Sequence, residues 1–89
     1  MTTEEILYDM IRPLTIRPHL VIGPETRFRN DLKMDSFDFL ELILRTEERF
    51  RCRLDDGALA GIQTVGQFLT LVEETPAERD KDKTEEEHV

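Results

Sequence analysis

Ser36 is the residue whose setting most suggests chemistry. It lies in the run Asp31-Leu32-Lys33-Met34-Asp35-Ser36-Phe37-Asp38-Phe39-Leu40-Glu41-Leu42, where an irregular, proline-containing stretch gives way to a helical one. A serine on such a helix N-terminus, with acids around it and no base beside it, is poorly equipped to attack a substrate unaided. It is well placed to be modified by another enzyme. A phosphate on its oxygen would meet the free N–H groups of the first helical turn, which favour anions. The plain alternative is that Ser36 only caps the helix, a position that prefers serine. Two acids within a turn, Asp35 and Asp38, and the large apolar Phe37 at an exposed helix end are more than a cap requires.

No other residues compose a reactive site. His19 and His88 are isolated in the sequence, with no nucleophile–base constellation near either. No cluster of His, Cys and acids has metal-ligand spacing, so no metal is expected. Cys52 is the single cysteine, which rules out an intramolecular disulfide and suits a reducing compartment. It reads as a thiol at a helix end, prone to form disulfide dimers on storage.

The elements that must position Ser36 follow from periodicity and capping. Thr2 with Glu5 forms a capping box, and Ile6, Leu7, Met10, Ile11 and Leu14 recur at helical spacing behind it. Pro13 disfavours helical geometry at Arg12, so this first helix ends or kinks there. Residues 15–35 form a long connection punctuated by Pro18, Gly23 and Pro24. Its Ile16, Leu20, Val21, Ile22, Phe28 and Leu32 suggest a segment packed across the helices rather than a floating loop.

The second helix, from about Ser36 to Arg51, contains no Gly or Pro. Asp35 or Ser36 supplies its N-cap, Asp38 suits the positive end of its dipole, and Glu41–Arg45 and Glu47–Arg51 are favourable i,i+4 pairs. Asp55–Gly61 is read as one short helical turn. Thr64 with Gln67 then opens a last helix whose Val65, Phe68, Leu69 and Val72 share a face. From Thr75 onward the charge-rich sequence reads as a disordered tail, which divides the chain into a folded domain over 1–74 and a tail over 75–89. The expected fold is all-α, a small bundle of three main helices and one minor helix with a long loop between helices 1 and 2.

At about 100° per residue the second helix carries two apolar arcs. Phe39, Leu42, Ile43, Thr46 and Phe50 form one, and Phe37, Leu40 and Leu44 form another, bordered by Glu41, Glu47, Glu48 and Arg51. One face serves a core; two mean either a fully surrounded helix or a docking ridge, and a surrounded helix needs more neighbours than this chain supplies. The first arc is therefore expected in the core and the second at least partly exposed, as a docking ridge.

The net charge of −8 argues against nucleic acid as a partner. Residues 73–89 carry eight acids and three bases, so most of the acidity belongs to the tail. The uncharged run Gly57–Val72, 16 residues containing Gly, Gln and Thr, is too short and polar to span a bilayer, and no signal peptide is legible. A cytoplasmic monomer that avoids membranes is expected.

The segment from Phe28 to Leu42 resembles the acyl carrier protein pattern F-x-x-D-L-x-x-D-S-L-D-x-x-E-L, and the similarity extends over roughly residues 3–74. A bare Asp-Ser is common; the full string before a helix is specific. The resemblance implies a four-helix carrier with 4′-phosphopantetheine attached through a phosphodiester to Ser36. It implies that a separate Mg²⁺-dependent phosphopantetheinyl transferase moves that group from coenzyme A, and that its thiol holds acyl groups as thioesters. The carrier catalyses nothing and presents its cargo to acyl-transferring or condensing enzymes of fatty-acid, lipid or polyketide-type biosynthesis. Carried over, the acids that would meet basic patches on such partners are Asp35, Asp38, Glu41, Glu47 and Glu48. Phe37, Leu40 and Leu44 would be the apolar part.

Departures from the pattern point to a specialised carrier. Phe37 stands where leucine is usual, Arg45, Arg49, Arg51 and Arg53 interrupt the acidic surface, and Thr46 occupies a place that calls for an apolar residue. A peptidyl, aminoacyl or D-alanyl carrier would share the fold and Ser36. An unmodified helical interaction module is the reading from a different class.

Overall fold

The computed structural model describes residues 1–78. Thr2 caps the first helix, α1 (Thr3–Ile11), through the expected reciprocal pair: its hydroxyl accepts from the Glu5 N–H, and the Glu5 carboxylate accepts from the Thr2 N–H. The helix ends before Pro13, and a 3-10 turn over Arg12–Leu14 carries the chain onward. Three further helices follow: α2 (Ser36–Phe50), α3 (Asp56–Ala60) and α4 (Val65–Glu74). The described residues hold no strand, only an isolated antiparallel bridge between Arg27 and Thr64. This is the all-α four-helix arrangement expected, with α3 as the minor member.

The core is built where the apolar stripes meet, with α1 against both α2 and α4. Leu7 and Ile11 of α1, Leu42 of α2, and Val65 and Phe68 of α4 are fully buried. Three aromatic rings lie against one another at its centre: Phe28 is 5.1 Å from Phe39 and 5.9 Å from Phe68, and Phe39 is 5.7 Å from Phe68. The tilted and edge-on geometries are those aromatic quadrupoles favour.

The long connection is packed, as its composition suggested, but by fewer residues than expected. Ile22, Phe28, Leu32 and Met34 are buried, whereas Ile16 and Val21 face solvent. Its backbone is held to distant chain. The Val65 N–H donates to the Thr26 carbonyl and the Gly66 N–H to the Pro24 carbonyl, both at 2.8 Å, and the Phe28 N–H donates to the Gln63 carbonyl. A Cβ at Gly66 would lie 2.8 Å from the Pro24 oxygen, so only glycine permits this approach. Lys33, at φ 57°, makes a sharp left-handed reversal just before α2.

The far end of α2 departs from the sequence expectation. Arg51 ends the helix in the left-handed conformation at φ 55°. Its side chain is not paired with Glu47, whose carboxylate instead accepts from the Leu54 N–H at 3.0 Å. Cys52 is buried rather than presented at the helix end. Burial raises its thiol pKa first, with the Glu47 and Glu78 charges adding to the effect. A buried thiol held protonated is a poor candidate for disulfide dimers, contrary to the reading from sequence. Residues 75–78 run back toward this end, where the Glu78 N–H donates to the Arg51 carbonyl. The rest of the expected tail, residues 79–89, lies outside the described residues.

Candidate functional site

The N-terminus of α2 is capped by Asp35, not Ser36. The Asp35 carboxylate accepts from the Asp38 N–H at 2.9 Å, and the Asp38 carboxylate accepts from the Asp35 N–H at 3.2 Å. Sequence alone allowed either residue as the cap. The assignment to Asp35 leaves the Ser36 hydroxyl exposed and without a protein hydrogen-bond partner among the described residues. The backbone N–H of Phe39 is taken by the Asp35 carbonyl, while those of Ser36 and Phe37 have no acceptor among the described residues. A group on Ser36 would thus start beside two free donors at the positive end of a 15-residue helix.

The two arcs of α2 separate as expected. Leu42 and Thr46 are fully buried, with Phe39, Ile43 and Phe50 half-buried beside them. Phe37 is 81% exposed, Leu40 50% and Leu44 53%, an apolar ridge in open solvent. Thr46 is tolerated in the core because its hydroxyl donates to the Leu42 carbonyl one turn back, at 2.7 Å.

The acids around the ridge are not equally free. Asp35 and Asp38 hold each other's backbone, and Glu41 pairs with Arg45 at 2.8 Å. Glu47 is drawn toward Leu54. Glu48 is exposed and has no hydrogen-bond or ion-pair partner among the described residues. Arg49 lies over the Phe50 ring, 5.6 Å from its centroid, so two of the four arginines are engaged within the chain itself.

Sequence reasoning missed a groove that opens beside Ser36, with a volume of about 370 Å³. That size falls in the range of about 300–1,000 Å³ typical of small-molecule sites. The Arg27–Asn30 segment, Leu59, Ala60, Ile62 and Gln63 line it, and the cap residue Asp35 with Ser36 and Phe39 of α2 completes it. The floor is apolar, with Phe28, Met34, Leu59 and Ile62, and the rim is polar and cationic. One sequence-level signal was the alternation Arg27-Phe28-Arg29, a buried ring between two exposed cations.

An exposed hydroxyl, free first-turn donors and an adjoining groove with a cationic rim fit an anionic prosthetic group held by one phosphodiester. No group of His, Cys, Asp and Glu among the described residues could hold a metal ion. No helix among them is long and apolar enough to cross a membrane.

Comparison with known proteins agrees with this geometry. The phosphopantetheine attachment site family matches residues 5–72. A meromycolate extension acyl carrier protein of Mycobacterium leprae is 32% identical over 81 residues, which cover 88% of this chain and 70% of that protein. Its counterpart in Mycolicibacterium smegmatis is 31% identical over 80 residues, covering 86% of this chain and 81% of the relative. That in Mycobacterium tuberculosis is also 31% identical, over 81 residues. Acyl carrier proteins interact with a phosphopantetheinyl transferase and with biosynthetic enzymes. The chain belongs to the acyl carrier proteins of the phosphopantetheine attachment family, which hold acyl groups on a covalent 4′-phosphopantetheine and leave catalysis to the enzymes they serve.

Proposed function

We propose that Ser36 carries the arm and that the exposed face of α2 docks the enzymes that load and use it. The observation that supports this most is the division of duties at the helix start: Asp35 does the capping, and the Ser36 hydroxyl is left unengaged and exposed. The arm supplies a terminal thiol that holds cargo as a thioester. The chain's own residues position it. The free N–H groups of Ser36 and Phe37 and the helix dipole stabilise the phosphodiester. No basic side chain hydrogen-bonds Ser36 among the described residues, so deprotonation of its hydroxyl falls to the transferase.

The docking surface comprises Phe37, Leu40 and Leu44, with Asp35, Asp38 and Glu41 beside the serine and Glu47 and Glu48 farther along. Exposed apolar anchors ringed by charge are what protein-docking surfaces use, and acids suit partners with basic patches. The Glu41–Arg45 pair and the Phe50-bound Arg49 reduce the acidic field, which suits a partner less basic than one that reads a uniformly acidic helix. The relatives are named for meromycolate extension. We place this chain likewise in a dedicated acyl-extension pathway of lipid biosynthesis, acting as a cytoplasmic monomer with no nucleic-acid or membrane partner and with residues 75–89 as a tail outside the carrier domain.

Intact-mass measurement after incubation with coenzyme A and a broad-specificity transferase tests the attachment. The wild type is expected to gain the arm and Ser36→Ala to stay unmodified; equal gain by both overturns the assignment. Elongation by a general bacterial fatty-acid synthase at the rate it gives its own carrier would overturn the dedicated pathway.

A further inference from the structure

The bundle's interior is shut off from the Ser36 end by aromatic rings. Phe28 and Phe39 face the surface beside the serine, and the fully buried Phe68 stands behind both, 5.9 Å from Phe28 and 5.7 Å from Phe39. Phe28 and Phe39 are themselves 5.1 Å apart, so each ring touches the other two. The rest of the interior, built from Leu7, Ile11, Leu42 and Val65, is fully buried. An apolar chain tethered at Ser36 gains from any burial it can find, because removing each methylene from water is favourable. To reach this interior from the serine it has to pass the rings.

The rings resist that passage together. They come from the long connection, α2 and α4, and turning Phe39 aside breaks two ring contacts while leaving Phe28 and Phe68 in place. The segments that carry Phe28 and Phe68 are also joined through their backbones. The Phe28 N–H donates to the Gln63 carbonyl at 3.1 Å, and the Val65 N–H to the Thr26 carbonyl at 2.8 Å. Spreading them sacrifices those bonds, and forcing extra methylenes into a close-packed interior strains the side chains around it. We propose that the cluster of Phe28, Phe39 and Phe68 closes the bundle to the acyl chain, so that cargo of any length stays outside the helices. Phe39 determines this most directly. It is the half-buried member of the cluster, and three residues along the helix places it beside Ser36, where a chain from the serine meets it first. The carrier then sets no limit on cargo length through its own interior, and the enzymes that receive the cargo must supply the apolar channel for it.

This inference rests on the attachment to Ser36, and the test separates the two. Apo protein is loaded by a broad-specificity transferase from a series of acyl-coenzyme A thioesters, butanoyl to dodecanoyl, with loading verified by intact mass. In the wild type the Tm and the methyl NMR resonances of Leu7, Leu42 and Val65 are expected to match those of the holo form at every chain length. Thioester cleavage by neutral hydroxylamine is expected to be equally indifferent to length. Phe39→Ala is expected to admit the chain. Its Tm then rises with chain length above that of its own holo form, because a group bound only by the folded state stabilises it. Its dodecanoyl thioester is cleaved about tenfold more slowly than its butanoyl one, as for a thioester exposed in about one molecule in ten. Phe39→Val opens a smaller gap and is expected to give the same signs if the alanine variant does not fold. Wild-type Tm or core resonances that move with chain length overturn the closure and leave the attachment standing, with or without a variant. So does a folded Phe39 variant that stays indifferent to length. Protein that does not load overturns both.

Discussion

The two apolar faces of α2 have nearly the same chemistry and opposite fates. Leu42 is fully buried, while Leu40 and Leu44, two residues to either side, are half exposed and Phe37 almost wholly so. Burying a leucine contributes about 1.5–3 kcal/mol, a contribution the exposed face largely forgoes. Folding gives no reason to keep an apolar ridge on the surface, and the proposed docking role supplies one. The buried face of the helix makes the fold, and the exposed face is the one we propose makes the encounter.

The comparison is broken most easily at its buried side. Leu42→Ala is expected to destabilise the protein by about 2–5 kcal/mol, read by thermal or denaturant unfolding. Leu40→Ala and Leu44→Ala are expected to stay within about 0.5 kcal/mol of wild type in the same experiment. A loss at Leu44 as large as that at Leu42 would erase the distinction between the faces. Next in size is Gly66→Ala, whose added carbon would meet the Pro24 carbonyl at 2.8 Å. It is expected to cost about 1–3 kcal/mol and to disturb amide resonances of residues 24–28, because it loosens the loop that bears Arg27.

The smallest effect sharpens the role of α1, which backs the core. Burial, followed by the hydrogen bond to Glu4 and the charges of Glu4 and Glu25, raises the Tyr8 phenol from 10.0 to about 12. The folded chain then keeps a proton that the unfolded chain releases. The contribution is fully present below pH 10.0 and is lost as the pH rises toward about 12. Tyr8→Phe is expected to flatten that alkaline loss in unfolding measurements across this window; an unchanged slope would contradict it.

Local signals in the sequence were read well because their causes are local. The Thr2/Glu5 and Thr64/Gln67 boxes, the short turn after Asp55, the ridge, and Ser36 at the start of α2 all depend on residues a few positions apart. What escaped depends on contacts between distant segments or on backbone angles. The choice of Asp35 over Ser36 as cap turned on the reciprocal bond with Asp38. The Glu47–Arg51 pair failed because Arg51 adopts a left-handed backbone that carries its side chain away from regular helical spacing. Burial of Cys52 needed tertiary packing, as did the groove, whose sides are joined by backbone bonds from Thr26 to Val65 and from Phe28 to Gln63. Gly66 in the first turn of α4 was the one residue that hinted at this close approach, since a helix has little other use for glycine there.

The measurement that most directly tests the division of labour on α2 is transferase kinetics on matched variants at a temperature where all are folded. Under the proposed attachment the transferase is the partner that must find Ser36, so its kinetics test the ridge without knowledge of the pathway. Leu40→Ala/Leu44→Ala is expected to raise the KM for the carrier while its Tm stays at the wild-type value. Leu42→Ala is expected to lower Tm and leave that KM unchanged. A ridge variant loaded with wild-type KM, or one that melts as early as Leu42→Ala, would contradict the account.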